Sequence, residues 1–282
     1  MGIARHAAVY KYCDLNKIKN NCINWYSTSW KDAIKACLSI LLPRSCAGCD
    51  APDAVLCENC KQELCCWQRA PLSSFTCGYR YSCGIYANSV RRAILLWKDH
   101  YDVACDTIFA SLLSNLAVNV ISELLRSHFL SNRSKPILVV PMPSSYTSTH
   151  NRGRKHILPL ARTIVNKLSN NGIPALLANI VRMNSSITSK SVQTSDGARG
   201  RSLRAAHAFK VDLRMLEKQL SCSQTFSTES AYEAILIDDI VTTGSTMNSC
   251  ATKLQDFNIR IVAGFSLACV KNIGDGTENY GY

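Results

Sequence analysis

Few stretches of this chain suit a membrane. Ala36 to Leu42, the longest apolar run near the start, is far too short to span a bilayer. Met1 to Tyr26 carries Arg, Lys, Asp and Asn and lacks the apolar centre of a secretory leader. The expectation is a cytoplasmic protein with no membrane insertion. No Gly-x4-Gly-Lys-Ser/Thr occurs, which disfavours a P-loop nucleotidase. No internal repeat or low-complexity tract is visible, which argues against a repeat array. Charged residues are sparse at 18%, yet the net charge is +12, with a denser basic patch from Arg199 to Arg214. That balance favours anionic partners: phosphorylated substrates, nucleic acid or a membrane surface. The 282 residues, 47% hydrophobic, suffice for one large or two smaller cored domains.

Cysteine is scarce only in the C-terminal half, which holds Cys222, Cys250 and Cys269 of the fifteen. Ten others crowd between Cys37 and Cys105. A disulfide scaffold needs a secretory route, and none is evident. Cys46-Ala-Gly-Cys49 and Cys57-Glu-Asn-Cys60 instead form two C-x2-C knuckles. Each brings two thiolates to one ion from a tight turn, and two knuckles complete a tetrahedral site. Zinc is the expected occupant, with an iron–sulfur centre or a redox dithiol as alternatives. Cys65, Cys66, Cys77 and Cys83 could build a second site, but their spacing is irregular, so one site is expected.

Periodicity predicts helices over Trp30–Leu42, Tyr86–Trp97, Asp102–Phe129, Ile157–Leu168 and roughly Ser245–Phe257. Strands are predicted at Ile137–Val140, Ala175–Val181, Ala234–Ile237 and Ile261–Leu267. From Ile137 onward strands alternate with helices, which argues an α/β fold with a parallel sheet. Ligands of such sheets sit past the carboxyl ends of the strands. Two strand ends carry distinctive loops, Pro141-Met142-Pro143 and Asp238 to Thr246, and these are expected to meet at one crevice.

The second loop is the most informative. After the apolar strand come Asp238 and Asp239, then Thr242-Thr243-Gly244-Ser245-Thr246 and a helix start. Small residues can offer hydroxyls and backbone N–H groups to one anion, and Gly244 permits a tight turn. The helix dipole adds to the attraction. Carboxylates beside a phosphate make sense if they face sugar hydroxyls or Mg²⁺ on the same ligand.

The segment resembles the motif by which type I phosphoribosyltransferases bind phosphoribosyl pyrophosphate (PRPP). The order of parts is more specific. A knuckle pair, Trp97-Lys98, Val-Val-Pro-Met-Pro, Arg152-Gly153 and the acid-threonine loop together resemble the ComF family, zinc-ribbon proteins with a phosphoribosyltransferase domain. Gln193, Arg201 and Phe209 stand at that family's spacing. Where the family commonly reads Arg-Gly-Phe-Asn-Gln, this chain has Arg152-Gly-Arg-Lys-His156.

The resemblance implies a layout of residues 1–29 as an extension, 30–85 as a helix with a four-cysteine zinc ribbon, and 86–282 as a phosphoribosyltransferase-like domain. It implies that Thr242, Thr243, Gly244, Ser245 and Thr246 hold the 5-phosphate, while Asp238 and Asp239 bind the ribose hydroxyls directly or through Mg²⁺. Pro141, Met142, Pro143, Lys98 and Arg152 would serve the pyrophosphate, and Gln193 and Arg201 a second substrate. His150 and His156 are the nearest candidates for a general base, and a surface position is expected for each. The implied function is Mg²⁺-dependent transfer of phosphoribosyl to an amine or nucleobase. The competing function is a DNA-uptake accessory that binds single-stranded DNA or a competence helicase, with PRPP as a regulatory or vestigial ligand.

Overall fold

The computed structural model describes residues 44–127, 130, 135–144, 150, 153–184, 209–214, 216–217, 232–271 and 277–279. The chain divides into two compact units, Met1–Arg44 and Ser45–Tyr282, and every element below belongs to the second. The extension 1–29 and the helix expected over Trp30–Leu42 lie outside the described residues.

Five helices are described: α1 (Glu58–Glu63), α2 (Asn88–Asp99), α3 (Cys105–Arg126), α4 (Ile157–Asn170) and α5 (Ser245–Gln255). Nine strands accompany them: β1 (Gln68–Pro71), β2 (Tyr79–Ile85), β3 (Ile137–Pro141), β4 (Ala175–Leu177), β5 (Val181–Met183), β6 (Phe209–Val211), β7 (Tyr232–Val241), β8 (Ile259–Cys269) and β9 (Glu278–Asn279). Seven form one sheet in the order β4-β3-β7-β8-β2-β1-β9, while β5 and β6 pair separately. The run β4-β3-β7-β8-β2 is parallel throughout; β1 and β9 add an antiparallel margin. The fold is therefore α/β with a mostly parallel sheet.

The sheet is covered on both faces, and period-two alternation sorts its residues. Val139, Ile235 and Ile237 join one core with Phe109, Leu113, Leu116 and Ile121 of α3 and Leu160 and Ile164 of α4. Leu138, Val140, Ala234 and Leu236 join the other, with Met247, Cys250 and Leu254 of α5. Each large aliphatic or aromatic side chain so buried contributes about 1.5–3 kcal/mol. The α3 helix is long and apolar enough to cross a membrane by composition. Its buried face packs on α4, β2 and β8, which accounts for that character.

One expectation changes. The strand expected over Ala175–Val181 is broken by Ala178–Ile180 into β4 and β5, which join different sheets. The boundary drawn after residue 85 falls at the end of β2, an interior strand paired with β8 and β1. Residues 68–71 and 79–85 thus lend β1 and β2 to the main sheet. The Tyr-Arg-Tyr-Ser-Cys-Gly-Ile sequence of β2 hides this, because Arg80 and Ser82 are polar yet buried. Ser82 is satisfied there by the Ser266 hydroxyl at 2.7 Å.

Candidate active site and metal cluster

The ten residues of β7 end on the Thr-Thr-Gly loop, and α5 starts directly from it. Gly244 is the residue before the helix and has φ +79°, a conformation that costs other residues about 1–2 kcal/mol. A β-carbon there would also stand 3.2 Å from Leu72 and 3.3 Å from the Arg80 guanidinium. Gly244 itself, having no side chain, supplies no cap to the first turn of α5, which leaves helix-start N–H groups available to an external anion. Thr242, Thr243, Ser245 and Thr246 are all exposed around the turn. The Thr243 hydroxyl accepts from Ser245 N–H (3.3 Å) and donates to Ser245 Oγ (3.2 Å), which draws the two hydroxyls together. Beneath the loop, Arg80 of β2 is only 3% exposed and donates to the Thr242 carbonyl at 3.1 Å. This buried cation adds positive potential under the turn. Sequence reasoning missed it because β2 itself was missed.

Asp238 and Asp239 are adjacent on a strand, so they address opposite faces of the sheet. Asp239 continues the row of Ile235 and Ile237 toward the helices α2 and α4. There it is 5% exposed, forms an ion pair with Lys98 at the end of α2, and accepts a hydrogen bond from His156 Nε2 at 2.8 Å. Burial alone would raise its pKa, but the His156 hydrogen bond and the Lys98 charge outweigh it and hold the carboxyl below the usual range. Asp238 continues the row of Leu236 toward α5 and is half-buried. Burial and the neighbouring Asp239 charge push its carboxyl well above the usual range. Its Oδ1 accepts from the Asp239 backbone N–H at 2.8 Å. The two acids are thus unequal: one is neutralised inside the protein, and the other is the less committed.

His156 corrects the expectation of a surface histidine: it is 2% exposed. Its ring meets Trp97 edge-on at 5.1 Å, and Trp97 donates from Nε1 to Asp106 Oδ1 at 2.5 Å. Arg154 donates to both Asp106 oxygens at 3.0 and 2.8 Å and to the Trp97 carbonyl at 3.3 Å. This network fixes Trp97, and with it the adjacent Lys98. The Arg-Lys-His sequence after Gly153 was its one visible signal. His150 is exposed.

The Pro141-Met142-Pro143 loop leaves β3 beside the acids, and Met142 N–H donates to the Ile237 carbonyl at 2.8 Å. This bond ties the start of the Pro141–Pro143 loop to the β7 residue just before Asp238. A small cleft beside Pro141–Pro143 is lined also by Lys155, Ile157, Asn179 and Arg182. Arg152, Gln193 and Arg201 lie outside the described residues.

The four knuckle cysteines converge. The sulfurs of Cys46, Cys49, Cys57 and Cys60 all lie within 4.8 Å of one another. Backbone N–H groups of Gly48 (3.4 Å) and Cys57 (3.2 Å) donate to Cys46 Sγ. Burial opposes ionisation of Cys46, but these amides win and push its pKa down to about 6. A β-carbon on Gly48 would stand 2.6 Å from Cys60 Sγ, so only glycine leaves room for the cluster. Four thiols in a donor cradle suit a tetrahedral soft ion, and the cluster could hold zinc. Cys65, Cys66, Cys77 and Cys83 form no such group among the described residues.

No family model and no curated protein sequence matches the chain. Solved structures do resemble it. Hypoxanthine phosphoribosyltransferase from Trypanosoma cruzi in complex with the product IMP is 11% identical, over 59% of this chain and 78% of that one, with a TM-score of 0.34. A second structure of the Trypanosoma cruzi enzyme, bearing on its C-terminal region, is 11% identical over 59% and 76%, at 0.36. A glutamate mutant at an invariant aspartate of hypoxanthine phosphoribosyltransferases is 10% identical over 59% and 79%, at 0.34. At such identities and scores the likeness fixes neither activity nor substrate.

Proposed function

We propose that the chain is a phosphoribosyltransferase-like protein of the ComF type. It binds PRPP at the carboxyl ends of β3 and β7 and transfers the phosphoribosyl group to a nitrogen acceptor. One observation carries this reading: the left-handed Gly244 turn opens a helix N-terminus, ringed by exposed hydroxyls, at the strand end that carries the acid pair. The 5-phosphate would sit in that turn, where the amides, the helix dipole and the buried Arg80 all favour a dianion.

The unequal acids divide the remaining work. Asp238 faces the ribose hydroxyls, accepting their protons in hydrogen bonds once it is ionised. Asp239 holds Lys98 and His156 in place, so that Lys98 stands as a fixed cation near the departing pyrophosphate. In the reaction the acceptor nitrogen lone pair forms the bond to the anomeric carbon. The bond from that carbon to the pyrophosphate oxygen breaks and its electron pair leaves with pyrophosphate, while the acceptor's N–H proton passes to solvent. Mg²⁺, arriving with PRPP, would supply charge neutralisation for the leaving group, and the half-buried Asp238 carboxylate is the protein oxygen suited to face it. Fixed donors of this sort are worth about 3–4 kcal/mol of barrier each.

Zinc in the Cys46, Cys49, Cys57 and Cys60 cluster belongs to the proposal as a structural ion. The setting proposed is the cytoplasm, where thiols stay reduced.

The test is pyrophosphate release from PRPP with Mg²⁺ over a panel of bases and amines. Wild type should release it with at least one acceptor, and Asp238→Ala should lower the rate at least a hundredfold. Binding of PRPP with no release from any acceptor would reduce the site to a binding site.

A further inference from the structure

The cysteine cluster has a dry edge and a wet one. Cys46 and Cys60, the outer pair in sequence, are 0% and 2% exposed. Cys49 is exposed and Cys57 half-buried. Each knuckle thus gives one covered sulfur and one that solvent can approach. The covered Cys46 sulfur is also occupied, since it accepts from the Gly48 and Cys57 backbone N–H groups. The two accessible sulfurs come from different knuckles and lie 3.5 Å apart. Arg92, held by Asp50, is close enough to feel the charge of Cys46 and Cys49, so this edge is electropositive.

Chemistry separates this pair from the other thiols nearby. Cys65 and Cys66 are adjacent and exposed. Desolvation, helped by the Cys66 and Glu58 charges, pushes the Cys65 thiol up, so it stays protonated at neutral pH. Burial does the same to Cys77 and Cys83. A thiolate, not a thiol, attacks an oxidant. Sulfurs that hold a soft ion must be thiolates. Among the described residues, Cys49 and Cys57 therefore combine access, charge and mutual contact.

Resting on the structural-ion reading of the cluster, we infer that Cys49 and Cys57 form a reversible oxidation site, with a hydroperoxide as its oxidant. The Cys49 thiolate attacks one oxygen of hydrogen peroxide: an S–O bond forms, the O–O bond breaks and hydroxide leaves. The Cys57 thiolate then attacks the Cys49 sulfur: the S–S bond forms and a second hydroxide leaves. The two sulfurs have given two electrons to the peroxide, and two solvent protons turn both hydroxides into water. Cys46 and Cys60 alone cannot complete a tetrahedral site. Closing the bridge therefore opens the cluster, and a dithiol reductant reverses it by exchange. Asp50 follows Cys49 directly in the chain, so the opening also disturbs the Arg92 pair that ties the cluster to α2.

The zinc-loaded full chain is titrated with hydrogen peroxide while a chromogenic chelator follows freed zinc. Disulfides are mapped by mass spectrometry after alkylation in denaturant. The first bridge should be Cys49–Cys57, with zinc freed in step with it and with Cys46 and Cys60 recovered as alkylated thiols. Dithiothreitol with zinc should restore the starting melting temperature. Cys65→Ser with Cys66→Ser should leave the release rate within about twofold, because neither sulfur takes part. A first bridge at Cys65–Cys66 with zinc retained overturns the inference. So does oxidation of single cysteines with no bridge, or zinc release with all four sulfurs still reduced. The two readings fail separately. Untreated protein without zinc, in which the Cys49–Cys57 bridge still forms first, sinks the structural ion and leaves the oxidation site. Zinc-loaded protein that never forms this bridge sinks the oxidation site alone.

Discussion

The two ends of α2 carry two different kinds of site. At its start, the cysteine cluster packs against the helix: Arg92 pairs with Asp50 at 2.5 Å, and Ser89 donates to Glu63 at 2.5 Å. At its finish, Trp97 and Lys98 reach the buried Asp239. The cluster is closed, with four ligands from fifteen consecutive residues, 46–60. The acid pair and its partners are assembled from α2, the approach to α4, and β7. A closed site made of one short segment is stabilised chiefly by its ion. A site made of distant segments is stabilised by the whole sheet. The comparison teaches that the first should fail by losing structure and the second by losing binding.

The largest expected effect tests the first half. Wild type should hold one zinc per chain by elemental analysis, and Cys46→Ser with Cys57→Ser should hold none. Structural zinc sites in small peptides are worth roughly 10–16 kcal/mol. Chelation should therefore lower the melting temperature by 10 °C or more, and a reduced, folded sample without metal would break the comparison.

Next come the two acids, which should differ sharply. Asp239→Asn leaves Lys98 and His156 without their counter-charge and should cost about 3–5 kcal/mol in denaturant unfolding. Asp238→Asn imitates an acid already inclined to be neutral and should cost within about 1 kcal/mol, while it abolishes turnover. Equal costs would show that the acids are not divided as described.

Their titrations should also oppose each other. Asp239 has a depressed folded pKa, so its stabilisation is present above the unfolded value near 4 and is lost as pH falls below it. Asp238 has a raised folded pKa, so the unfolded chain binds fewer protons and stability falls as pH rises above about 4 through the folded value. Stability-against-pH curves of the two Asn variants should bend from wild type in opposite senses. The same raised pKa means that PRPP with Mg²⁺, by favouring the ionised Asp238, should release a proton. That release is measurable as a buffer-dependent binding heat.

In its effect on stability the loop should fall between the two acids. Gly244→Ala should cost about 1–2 kcal/mol from the left-handed backbone. Its effect on PRPP affinity should exceed its effect on folding, because a β-carbon would also press on Leu72 and Arg80.

The same contrast decides what could be read in the sequence. Both knuckles and the Thr-Thr-Gly loop are contiguous, so spacing alone located them. The strands β3, β7 and β8 announced themselves as apolar runs because they are covered on both faces. Strand β2 did not, since its buried Arg80 and Ser82 find partners only across the sheet. His156 was legible as a residue but not as a partner, because Asp239 is 83 positions away. The inequality of Asp238 and Asp239 follows from strand alternation, which the sequence contained. Its consequence needed the position of α2.

Titration calorimetry of the wild-type chain with PRPP and Mg²⁺, repeated with Gly244→Ala, tests the central claim most directly. The account predicts saturable heat at one site per chain, weakened at least tenfold by the single added methyl group while the protein remains folded. No heat from the wild type, or equal heat from the variant, would contradict it.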